Sequence, residues 1–150
     1  VTVRCIDCLT EGVTTSRPIH PDSGPRSPRC TTHTRAKKKS GKANAHDKMC
    51  QRTYGMAPGE YQRLYEFQGG RCYMCPRNGR TKKLAVDHDH SCCPETPTCG
   101  RCNRGLLCSD CNQLLGRTGD NPEFFHRGAT YLITPPAQSP EFLHPTRRNP

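Results

Sequence analysis

The chain has 150 residues, of which 31% are hydrophobic and 6% aromatic, with no Trp. So little apolar material excludes a large core and leaves the fold in need of staples. Lys and Arg number 23 against 13 Asp and Glu, a net charge of +10, which points to a polyanionic partner, nucleic acid first.

Twelve cysteines supply the staples, and their spacing favours metal over disulfides. Cys-x-x-Cys recurs at 5/8, 72/75, 99/102 and 108/111, and Cys30 is followed at the same spacing by His33. A histidine partner suits zinc and cannot join a disulfide. No apolar signal segment opens the sequence, so a secreted disulfide framework is the minority reading. No apolar run is long enough to span a membrane.

Residues 1–34 read as a small knuckle module. Cys5, Cys8, Cys30 and His33 flank a loop rich in Pro, Ser, Thr and Gly that cannot pack a core. A structural zinc contributes on the order of 10–16 kcal/mol of apparent binding energy in small fingers, enough to hold such a module. Residues 35–53 read as a basic linker that also touches DNA phosphate through Arg35, Lys37, Lys38, Lys39 and Lys42. Ala36, Ala43 and Ala45 allow a helix there and Gly41 weakens it. Cys50, with no partner at ligand spacing, reads as a free thiol.

Residues 57–68 read as a short helix with Pro58 at its first position and Gly69-Gly70 after its end. Leu84-Ala85-Val86 reads as a strand leading into Asp87-His88. Residues 91–105 form a turn-rich insertion in which Cys92, Cys93, Cys99 and Cys102 offer a further zinc site. A helix is expected from Asn112, with Gly116 ending it. Asp120 or Asn121 caps a last helix that has Pro122 and Glu123 in its first turn. From Thr134 the chain turns Pro-rich and reads as a tail.

The richest constellation lies in the middle. Cys72, Cys75, Cys108 and Cys111 can close one tetrahedral zinc site. Between and just beyond these pairs stand Asp87, His88 and Asn112. Asp and Asn offer hard oxygens, which suit Mg²⁺ or Mn²⁺ rather than zinc, and the histidine is a candidate general base. A soft structural site therefore seats a hard catalytic one. Three filled zinc sites would use eleven of the twelve cysteines and His33, leaving Cys50 over.

From Gln68-Gly69-Gly70-Arg71-Cys72-x-x-Cys75, through Val86-Asp87-His88-Asp89-His90, to Arg104-Gly105-Leu106-Leu107-Cys108-x-x-Cys111-Asn112, the sequence resembles the phage recombination endonuclease VII family of HNH, or ββα-metal, nucleases. The resemblance covers roughly residues 54–133. It implies a small α+β fold, zinc-stapled, with a ββα-metal nuclease core, an N-terminal zinc knuckle and short flanking helices. It implies structural zinc on Cys72, Cys75, Cys108 and Cys111, one Mg²⁺ or Mn²⁺ on Asp87 and Asn112, and His88 as the base that takes a proton from water. The products would carry 5′-phosphate and 3′-hydroxyl ends. Asp89 is expected to turn away from His88 and orient a neighbour, and His90 to touch metal or phosphate. The implied partner is DNA, branched or nicked DNA included, met in the cytoplasm of a bacterial or phage-infected cell; the family dimerises through additional helices, and the short C-terminal part here favours a monomer instead. The competing reading is a zinc-knuckle nucleic-acid-binding protein without chemistry. The sequence departs from the family's pattern in the cysteine-rich insertion, in the N-terminal knuckle and in a short C-terminal part.

Overall fold

A computed structural model describes residues 3–75 and 82–140. Two compact units divide between Tyr61 and Gln62. The elements in chain order are α1 (Ile6–Thr10), α2 (Thr31–Tyr54), α3 (Glu60–Phe67), β1 (Ala85–His88), β2 (Asn103–Leu107), α4 (Ser109–Arg117), α5 (Pro122–Ile133) and a single 3-10 turn, Pro136–Gln138. This is the small α+β fold expected. None of the twelve cysteines is in a disulfide, and among the described residues no helix is long and apolar enough to cross a membrane.

In the first unit the core is sulfur. Cys5, Cys8 and Cys30 are buried, with Val13 and Ile19 packed against them. An isolated bridge between Ile19 and Cys30 closes the polar loop, and Arg29 ties its base to Asp7 at 2.7 Å. The basic segment 35–53 lies within α2, which starts directly after Cys30 and runs 24 residues. Gly41 costs such a helix about 1 kcal/mol, too little to break it among Ala and Lys neighbours. The helix ends at Gly55, whose φ of 58° is the left-handed C-terminal cap that glycine adopts without strain. Cys50 is 1% exposed and lies inside the packing of α2, its Sγ 3.7 Å from His46 Nδ1. The ring of His46 meets Tyr61 edge-on at 4.4 Å. The helix after it begins at Glu60, two residues later than Pro58, because Pro58 and Gly59 form the turn before it and the Glu60 carboxylate accepts the Ala57 amide at 2.6 Å.

The second unit is built on one antiparallel pair. Val86 faces Leu106 and Asp87 faces Gly105, and then His88 faces Asn103. Arg104 is thus an extra residue in β2, a β-bulge of the kind that re-aims a side chain. Gln68 extends the sheet with its side chain. Its Oε1 accepts the Leu106 amide at 2.8 Å and its Nε2 donates to the Leu106 carbonyl at 2.8 Å. Gly105 leaves room for it: a Cβ there would stand 3.3 Å from Gln68 Oε1. The helix after β2 packs on both strands and begins at Ser109, three residues ahead of Asn112, with Cys108 in the cap position. Its first turn therefore carries Cys111, and the Asn112 amide bonds the Cys108 carbonyl at 3.0 Å. Gly116 lies inside α4 rather than after it. Asn121 caps α5, accepting the Glu123 amide at 2.9 Å, while Tyr131, Leu132 and Ile133 on that helix stay exposed. Of the Pro-rich tail, residues 141–150 lie outside those described.

Leu106 is fully buried and Leu132 is 78% exposed. Leu106→Ala should cost about 2–5 kcal/mol of unfolding free energy, and Leu132→Ala less than about 0.5 kcal/mol, both read by urea denaturation. Equal losses would place the core elsewhere.

Candidate metal centres and active site

Three groups of four ligand atoms converge, each with all its members within 4.8 Å of one another. They are Cys5, Cys8, Cys30 and His33; Cys72, Cys75, Cys108 and Cys111; and Cys92, Cys93, Cys99 and Cys102. One sulfur pair from each stands 3.9 Å (Cys8–Cys30), 3.6 Å (Cys75–Cys108) and 3.7 Å (Cys92–Cys99) apart. A disulfide requires about 2.05 Å. A tetrahedron with Zn–S bonds of about 2.3 Å has sulfur–sulfur edges of about 3.8 Å, and that is the spacing found. The clusters can hold zinc.

The first group has a defined ligand face. His33 Nδ1 lies 3.2 Å from Cys5 Sγ and 3.4 Å from the sulfurs of Cys8 and Cys30. On the far side of the ring, Nε2 donates to the Glu11 carboxylate at 3.0 Å. That bond fixes the tautomer and leaves Nδ1 as the donor atom for a metal, the usual support of a ligating histidine.

Each group also divides its protons unevenly. Burial pushes Cys5 up, yet backbone hydrogen bonds from Cys30 and Cys8 and the His33 side chain bring it down to about 6. Its neighbour Cys8 is pushed up to about 11 by burial and by the sulfurs of Cys5 and Cys30. Likewise Cys72 falls to about 7 against burial, through backbone bonds from Cys75, Cys108 and Met74, while burial and the three facing sulfurs raise Cys111. Backbone bonds from Cys102 lower Cys99 to about 6, and hydrogen bonds with Cys99 and Cys93 push Cys92 up to about 12. Four crowded thiols cannot all ionise without a cation among them; a divalent ion removes that limit.

The candidate catalytic residues sit where β1 ends. Asp87 is 5% and His88 9% exposed. Arg104 grips Asp87 with both arms of its fork, Nε to Oδ2 at 2.7 Å and Nη2 to Oδ1 at 3.1 Å. The same Nη2 reaches Asp120 Oδ2 at 3.0 Å, and His90 Nδ1 donates to that oxygen at 2.9 Å. Burial works against the charge on Asp120, but the bonds from His90 and Arg104 outweigh it and hold the carboxyl below its usual range. Asp120 adopts φ 55°, a conformation uncommon outside glycine. A cleft of about 330 Å³ lined by His90, Ser91, Gly116, Gly119 and Asp120 opens here.

His88 Nε2 lies 3.1 Å from the Cys93 carbonyl. A carbonyl only accepts, so Nε2 carries the proton and a neutral ring has its lone pair on Nδ1. The rings of His88 and His90 lie 4.5 Å apart. Asp89 caps its own turn, its Oδ1 accepting the Ser91 amide at 2.8 Å. Asn112 Oδ1 and Asp120 Oδ1 are buried with no hydrogen-bond partner. The basic residues Arg35, Lys37, Lys38, Lys39 and Lys42 are all exposed on α2. At 3.6 residues per turn, Arg35, Lys38, Lys39 and Lys42 fall within about 100° of arc and make one positive stripe, with Lys38 paired to Asp22 at 2.7 Å; Lys37 lies off the stripe. Sequence reasoning missed Arg104, Asp120 and Gln68 as parts of the site. Arg104 and Gln68 stood in the motif, but only the bulge and the sheet edge give them work.

Residues 47–134 match the family described as recombination endonuclease VII. The chain belongs to the recombination endonuclease VII family. It is also 42% identical over 135 residues to the Gene 59 protein of Mycobacterium phage L5, covering 89% of this chain and 75% of that one. The Gene 59 protein of Mycobacterium phage D29 is 41% identical over 135 residues, covering 89% and 74%. No solved structure matches. Membership makes the chain a nuclease of DNA.

The Arg104 fork offsets the burial of Asp87. Arg104→Leu, at neutral pH and without added divalent ions, should lower stability by about 1–3 kcal/mol, and Asp87→Asn in the same chain should recover much of the loss. Thermal and urea denaturation of the two variants check this. An Arg104→Leu chain as stable as the parent would show that the pair offsets nothing.

Proposed function

We propose that this protein is a metal-dependent DNA endonuclease of the HNH, ββα-metal type, with residues 54–133 as its nuclease domain. On this reading residues 1–34 are a zinc knuckle, the positive stripe of α2 lies along the phosphate backbone, and the three clusters hold structural zinc. The observation that carries the reading is a juxtaposition. β1 ends in buried Asp87 and His88, and α4, packed on that strand, buries Asn112 Oδ1 without a donor.

The residues fit a hard divalent cation. Asp87 and Asn112 supply oxygens only, the preference of Mg²⁺ and Mn²⁺. An orphaned buried carbonyl oxygen is what such an ion would satisfy. When bound there, the ion would neutralise charge on the scissile phosphate and on the leaving 3′ oxygen.

The chain's own residues do the rest. His88 presents Nδ1 as the base for a water that attacks phosphorus, because Nε2–H is committed to the Cys93 carbonyl. Arg104 holds Asp87 in place and adds positive charge beside the phosphate. Cleavage on the 3′-oxygen side leaves 5′-phosphate and 3′-hydroxyl ends. Nicked and branched DNA fall within the substrate class. The working site is the cytoplasm of an infected cell, where phage DNA is processed.

Incubating supercoiled, linear and four-way-junction DNA with Mg²⁺ or Mn²⁺ tests the proposal. Cleavage is expected with either ion, and His88→Ala should lower the rate about 10²–10⁴-fold with DNA binding intact. Binding without cleavage under every ion would favour a non-catalytic module. Full activity of His88→Ala would remove the base.

A further inference from the structure

The cluster of Cys92, Cys93, Cys99 and Cys102 belongs to no step of the chemistry above, and its exposed members Cys92 and Cys99 make it an expensive way merely to tidy a loop. Its backbone tells more. Cys93 sends its Sγ into the cluster and its carbonyl to His88 Nε2 at 3.1 Å. Cys102 sends its Sγ into the same cluster and its carbonyl to the Asp89 amide at 3.0 Å. The Cys93 amide in turn donates to the Asp89 carbonyl at 3.0 Å. Two of the four ligands therefore hold His88, at the end of β1, and Asp89 just after it, through their own main-chain atoms.

We propose that this fourfold thiolate site binds zinc and acts as the positioning device for His88, so that the zinc, through Cys93, sets which ring nitrogen carries the proton. The inference rests on His88 as the base. A carbonyl can hold a histidine tautomer only if the carbonyl itself is held, and the insertion has no apolar packing to do so: of residues 91–101 only Thr98 is buried. A tetrahedral ion with four sulfur ligands from 92 to 102 fixes both ends of that stretch. Without it the carbonyl of Cys93 is free to rotate away, and the proton redistributes between Nδ1 and Nε2. Cys93 is then a positioning residue acting through the main chain, and its peptide group, not its sulfur, meets the base.

The experiment follows the His88 imidazole nitrogens by ¹⁵N NMR, together with zinc content, DNA affinity and cleavage, in the full chain. In the parent protein His88 should be the Nε2–H tautomer. Cys99→Ser should lose one zinc ion and keep the other two, hold its helical circular dichroism and its DNA affinity within about twofold, blur the tautomer signature, and cleave about 10–100-fold more slowly, the usual loss when a supporting contact of a site goes. Cys99→His, which restores a zinc ligand, should recover zinc, tautomer and rate together. An Nδ1–H tautomer in the parent would overturn the proposal whether or not the variant folds. So would a Cys99→Ser chain that loses its zinc yet keeps tautomer and rate. If the tautomer follows zinc while His88→Ala still cleaves, the positioning stands and the assignment of the base fails.

Discussion

Cys75 Sγ and Cys108 Sγ stand 3.6 Å apart across 33 positions of sequence. Closing a loop of that length costs conformational entropy that must be offset locally, and this chain has little apolar surface to offset it. Among the described residues of the second unit, Leu84, Val86, Leu106 and Leu107 are the buried aliphatic side chains. Sulfur geometry set for a tetrahedral ion supplies what packing does not. The consequence reaches the site directly. Cys108 takes the N-cap position of α4, Cys111 sits in its first turn and Asn112 follows at once, so the sulfurs that can hold zinc also fix the register of Asn112 against β1.

Charge is arranged with equal economy. Asp87 is buried on a two-stranded sheet, where a bare carboxylate costs several kcal/mol. Arg104 meets it with a bidentate fork, the geometry guanidinium does best, and the bulge at that position is what turns the side chain onto its neighbour. Asp120 then shares the same guanidinium and holds His90. Two buried oxygens, one on Asp120 and one on Asn112, have no donor to accept from. In folded proteins such atoms are rare, and an ordered water or an ion is among the partners that satisfy them.

Much of this was legible from residues alone because ligand spacing is a local property. Cys-x-x-Cys and Cys-x-x-His name their own chemistry, and all three groups converge as their spacing implied. The strand before Asp87 and the Asn121-Pro122-Glu123 helix start were equally local. What stayed hidden depends on register or on distant partners. Arg104 reads as one more basic residue until a one-residue bulge aims it at Asp87. Gln68 reads as a helix end until its amide pairs with the edge of β2. Gly41 reads as a weak point, but 24 residues of helix absorb its small cost. Cys50 reads as spare because its neighbour His46 lies one helical turn back, a spacing that no knuckle motif contains.

The proposed zinc on cysteine would take the structural role that neither disulfides nor a large apolar core fills in this nuclease. Native mass spectrometry of the intact chain decides it in one spectrum. The expected mass is raised by three zinc ions, with the loss of all three on acidification accompanied by unfolding. A mass without zinc and lowered by two hydrogens for each bonded pair of cysteines would contradict it.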